Sequence, residues 1–192
     1  LVLHRPEAVL DLHRGYLAAG ADVIETDTFG ATPIVLGEYG LAERCREINR
    51  VAATLARSAC AEAEHAGGQP CFVAGSIGPT TKALTLTRAA TFGQLQRAYA
   101  AQVEGLAEGG VDVLLIETSQ DPLNLKAALV ACRDVAPHLP VAVSATLEPS
   151  GTTLGGQTIE AVAVTVEPWM PLWVGSNCST GPGPMTEHVR AL

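Results

Sequence analysis

No stretch of this sequence approaches the ~18 uninterrupted apolar residues of a membrane span. Glu, Asp, Arg, Gly or Pro interrupts every apolar run, so no membrane partner is expected. There is also no cluster of Lys and Arg: 12 basic residues face 20 acidic ones, for a net charge of −8. Nucleic-acid binding needs a basic face, so that class is set aside, and the acidic balance reads as solubility. No two cysteines form CxxC, which removes zinc-ribbon and thioredoxin-type chemistry. The five cysteines (Cys45, Cys60, Cys71, Cys132 and Cys178) are odd in number and irregularly spaced, and no signal peptide is recognisable. Both facts argue against a disulfide framework and for a reducing, cytoplasmic compartment. GxGxxG follows no strand-like segment and GK[ST] is absent, which disfavours a dinucleotide-binding Rossmann domain and a P-loop. Internal repeats and low-complexity segments are missing as well.

What is present is an apolar fraction of 47% over 192 residues, ample for one core. The sequence starts at Leu1 in helix-forming residues and stops at Leu192 soon after another helix opens, so 1–192 is expected to be one domain incomplete at both ends. Strand-like and helix-like segments alternate. Helices are predicted over 5–19, 41–64, 92–109, 122–135 and 158–166, with a last one opening at Pro184. Pro6 and Pro122 suit first helical turns, and Thr91 and Asp121 are caps. In the long helix, Leu41, Cys45, Ile48, Ala52, Leu55 and Ala59 are spaced by four, three, four, three and four, one helical face. Strands are predicted at 23–26, in CFVAGSIGP ending near Ser76, at 111–117, in LPVAVSATL and in LWVGSNC. These are continuous apolar runs, as expected of a parallel sheet buried on both faces. The fold class is α/β, either a β/α barrel or an open doubly wound sheet.

In a β/α barrel the active site lies where strands pass into βα loops. Those points carry Glu25, Thr26, Asp27 and Thr28; Ser76, Gly78 and Pro79; Glu117, Thr118 and Asp121; Ser144, Thr146 and Glu148; and Asn177 and Cys178. Polar residues therefore gather at one end of every strand. Glu117 closes the run VLLI, and a carboxylate there is costly to bury without a cation. It reads as an anchor for a substrate ammonium group, or else as half of an internal ion pair or an acceptor for the next helix's N–H groups; Glu25, after VI, is the same case. The loop GSIGPTTK offers backbone N–H groups to an anion, but an ordinary turn is the simpler reading. Cys45, Cys60, Cys71 and Cys132 read as buried, inert thiols. Cys178 differs, because it stands at the polar end before a Gly-Pro turn. A nucleophilic cysteine wants a histidine, and none of His4, His13, His65, His138 and His188 lies at a polar strand end. Metal ligation is thus the better functional reading, although catalytic zinc needs about three protein ligands.

Four segments, HRGYLAAGADVIETDTFGAT, FVAGSIGPTTK, LLIETSQDPLNLKAAL and VGSNCSTGP, resemble in order and spacing the homocysteine S-methyltransferase family. SGTTLGGQTIEAVAVTVEP and GPMTEHVRAL are most similar to its cobalamin-dependent branch. Asp27, where many relatives have Asn, and Ser176, where Leu is frequent, depart from the family pattern.

The resemblance implies a TIM (β/α)8 barrel of which about five β/α units are present, with zinc at its C-terminal mouth. It implies that Cys178, in GSNC, is one zinc ligand. The remaining two, an adjacent cysteine pair, are expected outside this chain, so the chain alone is expected to be inactive. Glu117 would receive the amino group of homocysteine, Asn177 would support the mouth, and Ser76 and Thr28 would line the pocket. Methylcobalamin, bound by another domain, would be the methyl donor, and cobalamin- and folate-binding domains of the same polypeptide would be partners. The alternatives are betaine or S-methylmethionine as donor, and, in another class, a non-catalytic fragment lacking a complete zinc site.

Overall fold

The structure, a computed structural model, describes residues 1–178 and 180–192. Helix α1 (Pro6–Ala18) opens on Pro6 and leads to β1 (Val23–Glu25). A five-residue helix follows, α2 (Pro33–Gly37), with Pro33 in its first turn and Thr32 Oγ1 accepting from the Val35 N–H. It is too short to show a 3.6-residue period and was not expected. The long helix begins later than predicted, because Ala42–Arg44 form a 3₁₀ turn and α3 proper is Cys45–His65. Leu41 is accordingly exposed, and the buried face of α3 takes in Asn49, Ala53, Ala56 and Cys60 beside the predicted Cys45, Ile48, Ala52 and Ala59.

Strand β2 (Phe72–Ile77) precedes α4 (Phe92–Gly109). Thr91 and Gln94 form a capping box at the start of α4, satisfying two orphan donors reciprocally. Gly110, at φ 86°, ends the helix in the left-handed conformation glycine adopts freely. Then come β3 (Val113–Ser119), α5 (Pro122–Val135) capped by Asp121, and β4 (Val141–Ala145). α6 (Ile159–Val166) is capped by Thr158 and runs into a 3₁₀ turn at Glu167–Trp169. β5 (Val174–Ser176) and α7 (Pro182–Arg190) follow, the helix starting at Pro182 rather than Pro184. Among the described residues no helix is long and apolar enough to cross a membrane.

All five strands are parallel, in the order β1-β2-β3-β4-β5. A doubly wound sheet reverses its strand order at a switch point, and this one does not. The arrangement is that of consecutive β/α units of a TIM barrel.

One face of the sheet packs on the helices: Val73, Ile77, Leu114, Ile116 and Val143 join Leu95, Val103, Leu106, Leu125 and Leu129 in the main core. The other face carries a small second cluster, Ala74, Leu115 and Ala142 with Val113 against it. That face lines a cavity of about 600 Å³, with Val23, Glu25, Phe72 and Trp173 in its wall. Burial on both faces therefore holds at the sheet centre, whereas Val23 and Phe72 are about half exposed.

Candidate functional site

Glu117 is aimed by an irregularity in its own strand. The β3–β4 register runs Ile116↔Val143 and then Ser119↔Ala145, three steps on β3 against two on β4. One extra residue is thus accommodated at Glu117–Thr118, the kind of bulge that redirects a side chain. Thr118 takes the strain, at φ 57°. Ser76 Oγ donates to Glu117 Oε1 at 2.6 Å, and Thr118 Oγ1 lies 3.4 Å from Oε2.

Asn177 is the hub that joins three strand ends. Its Oδ1 accepts from the Thr118 N–H at 3.1 Å and from Ser144 Oγ at 2.7 Å. Its Nδ2 is within reach of Thr118 Oγ1 (2.9 Å), Glu117 Oε2 (3.4 Å) and Cys178 Sγ (3.4 Å). Its backbone N–H donates to the Ala145 carbonyl, and its own carbonyl accepts from Thr146 Oγ1. The polar ends of β3, β4 and β5 thus form one network with Cys178 on its edge.

Ser76 is held from behind. Its N–H donates to Thr26 Oγ1 at 3.0 Å, and Thr28 Oγ1 donates to its carbonyl at 2.7 Å. Thr28 is buried and its hydroxyl is committed to that carbonyl, so its action on the site runs through Ser76. Gln102, fully buried on α4, donates from Nε2 to the carbonyls of Thr28 (2.7 Å) and Ser76 (3.3 Å). Sequence reasoning missed it. The signal was present, since Gln102 continues the buried stripe Leu95, Tyr99, Gln102, Leu106 as its polar member.

Asp121 caps α5 and also holds the preceding loop, accepting from the Thr85 N–H at 2.7 Å and from Thr85 Oγ1 at 2.8 Å. In the GSIGPTTK loop, the Gly78 N–H donates to the Phe29 carbonyl and the Lys82 N–H to Thr80 Oγ1. The Lys82 N–H thus serves the turn itself, and the Gly78 N–H ties it to the loop after β1. His13 is buried on α1, and burial lowers its pKa while the Asp27 charge partly offsets this.

The cysteines divide as expected. Cys45, Cys60, Cys71 and Cys132 are buried, and burial pushes the thiols of Cys45, Cys60 and Cys132 up to about 12. Those three thiols stay protonated at neutral pH. Cys178 is exposed, with the Asn177 amide as a donor beside its sulfur and a left-handed backbone at φ 59°. It suits one position of a zinc donor set. Among the described residues no three His, Cys, Asp or Glu side chains converge on a metal position.

The family model for homocysteine S-methyltransferase matches residues 1–192. The chain is 39% identical over 195 residues to the methionine synthase of Mycobacterium tuberculosis, and 38% identical over 192 residues to that of Mycobacterium leprae. Each alignment covers 98% of this chain but only 16% of the relative, so the chain spans about a sixth of the length of these curated proteins. Among solved structures it resembles the metallated form of the homocysteine methyltransferase MmuM from Escherichia coli, with a TM-score of 0.80 and 25% identity. That likeness covers 92% of this chain and 65% of MmuM.

Proposed function

The chain belongs to the homocysteine S-methyltransferase family, and from that premise we propose that it is the homocysteine-activating part of a longer, cobalamin-dependent methionine synthase. The observation that carries the reading is the network at the strand ends, in which Ser76, Thr118 and Asn177 hold Glu117 while Asn177 also touches the sulfur of Cys178. An amino acid with a thiol at the far end of its side chain meets both features, its ammonium at Glu117 and its sulfur toward Cys178. The higher identity to methionine synthases than to MmuM supports the methionine synthase reading, in which methylcobalamin would be the donor.

In this reading Glu117 receives the substrate ammonium, with one oxygen preset by Ser76 and the other by Asn177 and Thr118. Thr28 and Gln102 fix the Ser76 backbone and so the direction of that hydroxyl. Asn177 holds the βα loop that carries Cys178. Cys178 is the zinc ligand this chain supplies, the others coming from outside these residues. Bound zinc would supply the Lewis acidity that keeps a thiol ionised at neutral pH. The homocysteine sulfur then takes the methyl group, the new S–C bond forming as the methyl leaves its donor with the bonding pair staying behind. Methylcobalamin would be held by another domain, with a folate-binding domain in the same polypeptide and a cytoplasmic setting.

The test is Cys178→Ser in the full-length protein. Metal content and methionine formation are expected to fall together, the rate by at least about a hundredfold, in line with the loss of a metal ligand. Methionine produced at the normal rate would overturn the reading.

A further inference from the structure

The loop between β2 and α4, together with α2 and the start of α4, encloses an open cavity of about 350 Å³. Pro33, Ile34 and Ala90 make its apolar wall, and Lys82, Gln94 and Arg97 make its polar one. No carboxylate lines it, and it shares no residue with the network around Glu117 and Asn177. Among the described residues neither Lys82 nor Arg97 forms an ion pair, whereas Arg14, Arg44, Arg46, Arg57, Arg133 and Arg190 all do. Two unpaired cations sharing one concave wall stand out in a chain of net charge −8. The wall is also held in shape. Asn124 on α5 donates to the Lys82 carbonyl and accepts from the Leu84 N–H, both at 2.9 Å, and Thr80 Oγ1 donates to the same carbonyl at 2.7 Å. Arg97 folds back along α4, its Nη1 only 3.4 Å from where a Cβ on Gly93 would stand. The first turn of α4 carries no acidic residue, so the guanidinium lies toward the positive end of its own helix without compensation. Glu38, beside the loop, is engaged by Thr81 Oγ1 at 2.6 Å and stands outside the wall.

We infer that this cavity is a second binding site, for the phosphate group of a small phosphate ester, distinct from the homocysteine site. Two cations match the charge that a phosphate monoester carries at neutral pH, whereas a single carboxylate would leave one of them over. The planar fork of Arg97 fits phosphate oxygens and the Lys82 ammonium adds a mobile point charge. Gln94 Oε1 is occupied by the N–H and hydroxyl of Thr91, which leaves its Nε2 as a further donor. The apolar wall of Pro33, Ile34 and Ala90 suits the organic body of the ester. The anion contact thus comes from side chains at the end of GSIGPTTK and on α4, not from the backbone N–H groups of that loop. An occupant would tie α2 to α4, and so the loop after β1 to the loop after β2.

The experiment is calorimetric titration of the full-length protein with phenyl phosphate, inorganic phosphate and a pentaglutamate peptide, comparing wild type with Lys82→Gln, Arg97→Gln and Lys126→Gln. Phenyl phosphate is expected to bind the wild type more tightly than inorganic phosphate, because its ring covers the apolar wall. Lys82→Gln and Arg97→Gln should each weaken it about tenfold or more, the loss typical of a hydrogen bond to a charged group. Lys126, exposed on α5 and outside the cavity, is the control, and its variant should bind as the wild type does. Without ligand, Arg97→Gln should unfold no earlier than wild type, since its guanidinium forms no ion pair among the described residues. Phenyl phosphate should then raise the unfolding midpoint of the wild type and not that of this variant. KM for homocysteine should be unchanged in all three variants. A wild type that binds neither phosphate, or that binds both no better than the two cavity variants do, overturns the inference. Equal affinity for the two phosphates, or tighter binding of pentaglutamate through Lys82 and Arg97, overturns the assignment to a phosphate ester, the second result marking an acidic protein surface as the occupant. The homocysteine reading stands in each case, because it uses none of these residues.

Discussion

Thr118 and Cys178 are non-glycine residues held at positive φ, 57° and 59°, at the ends of β3 and β5, on either side of β4. Such conformations cost about 1–3 kcal/mol each and persist where surrounding contacts over-determine them. Here the contacts converge on Asn177, whose side chain meets the backbone and hydroxyl of Thr118 and the sulfur of Cys178. Asn177→Ala in the full-length protein would strip Ser144 Oγ and the Thr118 N–H of their acceptor and take a donor from Glu117. Leaving buried polar groups unpaired costs about 1–3 kcal/mol, and kcat/KM for homocysteine should drop about ten- to a hundredfold. Steady-state kinetics within twofold of wild type would show that the network does not position the site. The sequence displayed Asn177, Cys178, Glu117 and Ser76 as polar ends of apolar strands, because burial makes such residues conspicuous. It did not display the left-handed turn at Thr118, which arises from a mismatch in step between two strands and is visible in neither strand alone. Gln102 escaped for a related reason: it reaches the site from a helix 26 residues beyond Ser76.

Among the elements, the long helices were the most legible, since their stripes and caps are local. Their ends were less so: a 3₁₀ turn replaces the start of α3, and α2 is too short for periodicity to register. How closely α3 and α4 approach was not legible from either helix. It is fixed by Gly105 and Gly109, where an added Cβ would lie 2.5 Å from the Arg46 carbonyl oxygen and 2.4 Å from the Ala53 Cβ respectively. Ion pairs of Arg46 with Glu104 and Glu108 flank the same seam, but exposed pairs contribute little, so packing decides. Gly109→Ala gains helix propensity of about 1 kcal/mol at most, against an overpacking cost of about 1–3 kcal/mol at a contact that neither backbone can yield cheaply. The net expectation is a less stable fold, read as a lower midpoint in thermal or urea unfolding. A midpoint equal to or above wild type would mean that α3 and α4 separate without cost. Because α4 carries Gln102, the same variant should also weaken homocysteine binding slightly.

For the whole molecule, the question is what the 192 residues do when expressed alone. β1 and β5 are the edges of the described sheet, and an unpaired parallel edge is a template for another chain. Each is only three residues long, which limits edge pairing. The inner face is the larger liability. Val23, Phe72, Leu172 and Trp173 are 51%, 50%, 62% and 46% exposed around a cavity of about 600 Å³, and contiguous apolar patches of this kind drive association. The net charge of −8 opposes self-association, yet exposed charges are screened beyond about 8 Å at physiological ionic strength, whereas apolar contact is not. Apolar attraction should therefore win, and the isolated chain should scatter light as a species heavier than its 19.9 kDa monomer, growing as salt is raised from about 0.01 to 0.5 M, where the Debye length falls several-fold. Substituting Phe72 and Trp173 together with serine or threonine should move the distribution back toward monomer without disturbing the helix-side core, since both side chains stand on the cavity wall. A wild-type chain that sediments as a monomer at physiological salt and unfolds in one sharp transition would sink this expectation. It would also mean that the open inner face is stable in water as it stands.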